Sequence, residues 1–237
     1  MTDRSAVTVG EMVATDFRTA AVFEEFGIDL CCGGGRSLTD ACRTAAADPD
    51  VVVRALEALP PSVGGEDDVT QWPIERLIDH IIDRHHGYVR SALPAITRDL
   101  AKLYEVHGAR HPELTQVAAA FSGLRTDFEQ HMMKEEHVLF PYVRDMATRA
   151  GTCGRTQSPF GTVENPIRMM EREHREAAEA IETIRELTNG YETPEDGCTT
   201  YGVCMDEFAR FELDLHRHVH LENNVLFPKA IALENGC

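Results

Sequence analysis

The chain has 237 residues, 43% of them hydrophobic and 27% charged, enough to fill a core without disulfides and to build one ordinary domain plus a smaller one. A formal net charge of −17 repels phosphate backbones and anionic lipid, which argues against nucleic acid and membrane as partners. No apolar run reaches the ~18 residues a bilayer span needs, and the start carries no basic region followed by an unbroken apolar stretch, so the expected compartment is the cytoplasm.

Strand signals are nearly absent. The β-branched run Val51–Val53 continues into Arg54-Ala55-Leu56-Glu57 and reads as helix. An all-α protein is expected, in two parts. The first, residues 1–60, is a small helical domain. A short helix near Val9–Ala14 precedes one near Arg18–Phe26, which Thr15 or Asp16 caps and Gly27 stops. The loop Ile28-Asp29-Leu30-Cys31-Cys32-Gly33-Gly34-Gly35 follows. Ser37 or Thr39 caps a third helix through Ala47, and Asp48-Pro49 opens a fourth that ends at Pro60-Pro61. Residues 61–72, rich in Pro, Gly and acid, read as a linker. Residues 73–237 carry four long helical patterns, about 74–105, 113–148, 164–189 and 201–233, with breaks short enough to make neighbours antiparallel. The expected architecture is an up-down-up-down four-helix bundle.

The bundle sequence repeats itself. His131-Met132-Met133-Lys134-Glu135-Glu136-His137-Val138-Leu139-Phe140-Pro141 matches His218-Val219-His220-Leu221-Glu222-Asn223-Asn224-Val225-Leu226-Phe227-Pro228, 87 residues further on. Only His131/His218 and Glu135/Glu222 keep a ligand-type residue in both copies. His137 faces Asn224, His220 faces Met133 and Glu136 faces Asn223. A His and a Glu four apart share one helix face. Two such faces meeting in a core would gather two imidazoles and two carboxylates, a donor set for iron, zinc or copper in which carboxylates can bridge two cations. A single HxxxE is more simply a surface pair; its repetition ahead of the same apolar run reverses that preference.

Each half should add a ligand from its other helix. In the second half His174 sits inside the apolar stripe Ile167, Met170, Ala177, Ala178, Ile181, Ile184, 44 residues before His218. In the first half His80, His85 and His86 compete. Spacing favours His86, 45 residues before His131, whereas the stripe Ile74, Ile78, Ile81, Ile82, Val89, Leu93 is centred nearer His85. Two metals would each receive two histidines and share two glutamates. Glu171, in Glu171-Arg172-Glu173-His174, is a reserve ligand of the Glu-x-x-His type.

At these residues the chain resembles the iron–sulphur cluster repair di-iron proteins of the RIC or ScdA type, hemerythrin-like bundles preceded by a small Cys-Cys-Gly-Gly domain. The likeness covers nearly the whole chain. It rests on Asp29–Gly34, Ile78-Asp79-His80-Ile81-Ile82, His131–Glu136, Cys198-Thr199-Thr200 and Leu221–Pro228. The resemblance implies a His4Glu2 site for two non-haem iron ions with carboxylate and oxo bridges, and selects His86 as the first-helix ligand beside His131, Glu135, His174, His218 and Glu222. It also implies repair of clusters damaged by nitric oxide or peroxide, with damaged iron–sulphur proteins and small diatomic ligands (nitric oxide, oxygen) as partners; a homodimer is kept among the expected assemblies. Cys153 and the tail from Glu234 carry no role that transfers.

Seven cysteines, an odd number without an export signal, argue for thiols rather than a disulfide framework. Cys31 and Cys32 are adjacent and followed by three glycines, so they read either as a redox-active or iron-passing pair or as two small residues in a tight turn; the resemblance favours the first. Cys42, Cys153, Cys198, Cys204 and Cys237 read as structural or incidental. The leading function is iron supply to damaged clusters from a labile site. Nitric oxide reduction at the di-iron centre is the enzymatic alternative, and an oxygen or nitric oxide binder or sensor the third, although simple oxygen carriage needs no thiols.

Overall fold

The computed structural model describes residues 7–16, 18–30, 33–59, 69–149 and 160–236. Every regular segment among them is helical, and none of these helices is long and apolar enough to cross a membrane. The described residues fall into two compact units. One takes in 7–79, 144–149, 160–163 and 216–236; the other is formed by His80–Val143 and Glu164–Leu215.

The first unit opens with four short helices, α1 (Val9–Thr15), α2 (Thr19–Glu25), α3 (Leu38–Thr44) and α4 (Pro49–Glu57). Local chemistry sets their starts. Thr8 caps α1 in a reciprocal box: its hydroxyl accepts from the Glu11 N–H at 3.2 Å, and the Glu11 carboxylate accepts from the Thr8 N–H at 2.8 Å. Ser37 caps α3, and Asp48 with Pro49 at the first helical position caps α4, two of the expected signals. Val9, Val13, Phe23, Leu30, Leu38 and Val52 form the apolar interior here. The glycine-rich loop returns to α1: the Gly10 N–H donates to Gly34 O at 2.8 Å and the Val9 N–H to Arg36 O at 3.0 Å. Gly10 and Gly34 leave no room for side chains, because a Cβ on Gly34 would stand 2.8 Å from Leu30 O and one on Gly10 3.0 Å from Gly34 O, with the Asn224 amide closer still to both. The Asn224 amide in turn donates to Leu30 O at 3.3 Å. Of the linker expected over 61–72, residues 61–68 lie outside the described residues, and Val69–Gln71 form a short 3-10 turn. Glu234 accepts from the Thr162 hydroxyl at 2.6 Å and the Val163 N–H at 3.0 Å, so the tail residue left without a role ties down the segment that enters the third long helix.

The second unit is built on the long helices α6 (Gly87–His107), α7 (Glu113–Lys134), α9 (Glu164–Leu187) and most of α10 (Thr199–Leu221); α5 (Ile74–His80), α8 (Phe140–Arg149) and α11 (Phe227–Asn235) continue the long patterns. Apolar residues at three- and four-residue spacing face its interior: Val89, Leu93, Ile96, Leu100 and Leu103 on α6, and Leu114, Val117, Phe121, Leu124 and Phe128 on α7. Phe121 meets the edges of Phe208 (5.3 Å between centroids, 87°) and Phe211 (6.1 Å, 81°), which locks α7 against α10.

The long helices are not uniform. Three of the four expected patterns are interrupted by one π-helical segment each, over Ile81–His86, Glu135–Leu139 and Glu222–Leu226. Helical periodicity does not reveal them, because one extra residue in a turn leaves the apolar stripe almost intact. Such segments concentrate at functional sites in proteins generally. Here one ends on His86 and the others begin on Glu135 and Glu222.

Candidate metal centre

His86, His131, Glu135, His174, His218 and Glu222 are each 0–1% exposed. Burying two carboxylates costs several kcal/mol apiece unless positive charge and hydrogen bonds meet them. Within the second unit, one oxygen of Glu135 faces two imidazoles, His131 Nε2 at 3.3 Å and His86 Nε2 at 3.4 Å. His174 Nε2 lies 3.0 Å from His131 Nε2. Two ring nitrogens converging in this way are what a shared cation between them requires. In the first unit His218 Nε2 lies 2.9 Å from Glu222 Oε1, one turn along the helix.

The far side of each ring is also held. His86 Nδ1 lies 2.6 Å from Glu136 Oε1, and His131 Nδ1 lies 3.0 Å from Glu173 Oε2. An Nδ1–H donating to a carboxylate fixes the tautomer, leaves Nε2 free for a metal and raises its basicity. Each of these carboxylates is paired with a cation, Glu136 with Arg90 and Glu173 with Lys134. Burial pushes both upward, but His86 and Arg90 hold Glu136 below its ordinary value, and His131 and Lys134 hold Glu173 down at about 2. Phe140 stacks on His86 at 5.9 Å and Phe128 on His131 at 5.3 Å, so apolar rings wall the imidazoles.

Two groups of buried side chains could each hold a metal ion, with one ligand atom per residue and all of these within 4.8 Å of one another: His86, Glu135, His218 and Glu222, and His131, Glu135, His174 and Glu222. Nitrogen and oxygen donors without thiolate suit iron, zinc or manganese, and carboxylates common to both groups suit a bridged pair. The donor set is one that would suit iron.

The competing residues lie elsewhere. His85 is buried but its Nδ1 lies 2.9 Å from Asp214 Oδ1, and neither group includes it. His220 is fully buried, its imidazole pushed down to about 4 by burial, and its Nδ1 accepts from the Asn224 amide at 3.1 Å. The reserve ligand Glu171 is partly exposed and outside both groups. Sequence reasoning missed Glu173 and set Glu136 aside as unmatched; the available signal was a second carboxylate beside a ligand position in each case. Cys31 and Cys32 lie outside the described residues, as do Cys153 and Cys237, whereas Cys42 and Cys204 are buried and Cys198 is exposed.

A helical bundle with buried, paired His/Glu donors defines a class of cation-binding proteins, and residues 77–230 match it as the hemerythrin HHE cation binding domain. Residues 5–60 match ScdA_N, described as a domain of unknown function. The chain is 35% identical over 225 residues to the iron-sulfur cluster repair protein YtfE of Dickeya chrysanthemi, covering 94% of this chain and 96% of that protein. It is 34% identical to the YtfE proteins of Cronobacter sakazakii and Escherichia coli, covering 95% of this chain and 96% and 97% of theirs. The chain belongs to this family of hemerythrin-like proteins.

Proposed function

We propose that His86, His131, Glu135, His174, His218 and Glu222 hold two iron ions and that the protein supplies this iron to iron–sulphur clusters damaged by nitrosative or oxidative stress. One observation carries the reading: the two candidate groups each hold a different pair of histidines and have both glutamates in common. Six protein ligands for two ions that favour six-coordination leave positions open, which suits release as well as binding. The names of the relatives support cluster repair as the purpose of that release. When bound, the iron pair supplies exchangeable ions and open coordination positions for small diatomic ligands. The chain's own groups do the rest. Glu136 and Glu173 orient His86 and His131, while Phe128 and Phe140 keep bulk water from the rings.

Open coordination positions would also let two small ligands meet, which makes nitric oxide reduction the second reading. The further expectations travel with the proposal: residues 1–60 as a separate domain on the linker 61–72, Cys31 and Cys32 as its redox or iron-transfer pair, a cytoplasmic location and damaged iron–sulphur proteins as targets. The test is anaerobic iron analysis of the purified protein, followed by its incubation with an apo cluster protein and, in parallel, with nitric oxide. Iron leaving the protein as cluster activity returns supports donation. Nitrous oxide formed with the iron retained moves the function to the enzyme.

A further inference from the structure

A second cluster of polar side chains lies where α6 ends and α10 begins, and the metal centre does not use it. Cys198 stands immediately before α10, twenty residues ahead of His218 in the sequence. Its sulfur is exposed and accepts from the backbone N–H groups of Tyr201 and Thr200 at the helix start. An imidazole independent of that helix end also points at it: His107, the last residue of α6 and 2% exposed, has Nε2 3.3 Å from Cys198 Sγ. Arg110 Nη2 lies 3.5 Å from His107 Nδ1. Arginine only donates, so Nδ1 accepts and Nε2 carries the hydrogen that faces sulfur. Tyr201 sets its ring edgewise to His107 at 5.5 Å and to the neighbouring His111 at 5.6 Å. His111 is held between Glu113 and Asp196 at 2.9 Å on each side, and Asp196 also pairs with Arg110 at 2.8 Å. A buried imidazole aimed at an exposed thiol on a helix N-terminus is the arrangement that stabilises a thiolate.

We propose that Cys198 is a nucleophilic thiol, held by His107, that small peroxides oxidise. The thiolate attacks one peroxide oxygen; the S–O bond forms and the O–O bond breaks. Sulfur loses two electrons to the peroxide and becomes the sulfenic acid. The leaving hydroxide takes one proton from solvent and departs as water. A small thiol then returns the site by displacing water to give a mixed disulfide and a second thiol by reducing that disulfide. The other described cysteines are unsuited to this chemistry. Burial pushes the Cys204 thiol up to about 12 and raises Cys42 as well, whereas His107 and the helix N–H groups bring Cys198 down to about 7. The pair is not legible in the sequence, because its members lie 91 residues apart.

The experiment uses the full-length protein and iodoacetamide, with labelling at each cysteine resolved by peptide mass spectrometry from pH 5 to 9. At pH 7 a thiol half in its thiolate form, less the nucleophilicity that a lower pKa costs, should react roughly threefold faster than the same cysteine in urea-unfolded chain. Its rate should level off above about pH 8, where the unfolded reference still climbs. His107 faces the sulfur, and the other titratable or charged groups of the cluster that can shape this profile are Arg110, His111, Asp196, Glu113 and Tyr201. His107→Gln should move the profile upward by about one pH unit with an unchanged circular dichroism spectrum. In a second arm, dilute hydrogen peroxide with dimedone present should label Cys198. A folded-state profile that superimposes on the unfolded one, or peroxide labelling that passes Cys198 by, overturns the proposal. If His107→Gln fails to fold, the comparison of folded with unfolded wild-type chain still decides.

Discussion

At the scale of single residues, Glu135 and Glu222 carry more than any histidine, because each belongs to both candidate groups while each histidine belongs to one. Glu135→Ala or Glu222→Ala should therefore take iron from about two ions per chain toward none, whereas His174→Ala should leave the group around His86 able to hold one. Iron analysis beside protein concentration checks this, and equal losses in all three variants would remove the bridging role. Glu136→Gln keeps an acceptor beside His86 but loses its charge, and should weaken iron retention about ten- to a hundredfold against a chelator series. Total loss in that variant with iron kept in Glu135→Ala would reverse their roles. His86→Ala should damage the visible spectrum of the iron protein while His85→Ala spares it, since His85 faces Asp214. The repeated residues were legible in the sequence because two copies of one pattern single out the positions they have in common. His86 was not, since stripe and spacing pointed to adjacent residues. The structure separates the two by what their rings meet, Glu135 and Glu136 against Asp214. Glu173 escaped notice for another reason: it acts on a histidine 42 residues away, on a different helix.

At the scale of elements, helix content and order were legible because apolar stripes and caps are local signals. Ser37, Asp48 and Pro49 announced two helix starts, and Thr8-Val9-Gly10-Glu11 held the signature of a third that was passed over. The three π-helical segments were illegible, since no residue's propensity marks them and one extra residue in a turn leaves the apolar stripe almost intact. Packing between elements can be tested where it is densest. Phe121→Ala removes a fully buried ring from the α7–α10 contact and should cost about 3–5 kcal/mol, lowering the melting temperature by about 10 °C. The joint at the start of α7 is weaker and depends on pH. Asp196 and Glu113 raise the His111 imidazole above its ordinary value. A raised value stabilises the fold while the ring is charged, fully below about pH 6.5, and the gain fades as pH rises through the folded value. The melting temperature of His111→Gln should thus fall short of wild type by about 2 °C at pH 6 and match it near pH 9, a small difference because the pair is exposed. A deficit that grows with pH would contradict the assignment.

At the scale of the whole molecule, metal and fold should be strongly linked. Apart from the pairs His131/Glu135 and His218/Glu222, the donors lie far apart in sequence, and ions that bind only the folded chain add stability in proportion to the logarithm of their concentration over their dissociation constant. Removing iron with a chelator should lower the melting temperature by several degrees and raise proteolysis near the ligand helices, as calorimetry and limited digestion of matched samples can show. Identical melting with and without metal would mean that the core supports the site rather than the reverse. Glu222, one of the two glutamates common to both groups, also bears on how the protein is made. Synthesis adds about 5–20 residues per second, and Glu222 follows His86 by 136 positions. For roughly 7–27 s of translation the early ligands exist without the carboxylate that both groups need. On the proposed ligand set, neither ion would find its full donor set on the nascent chain during that interval. Loading would then follow synthesis of the last ligand, and a cell short of iron would accumulate empty protein that a later supply of metal could fill without new synthesis.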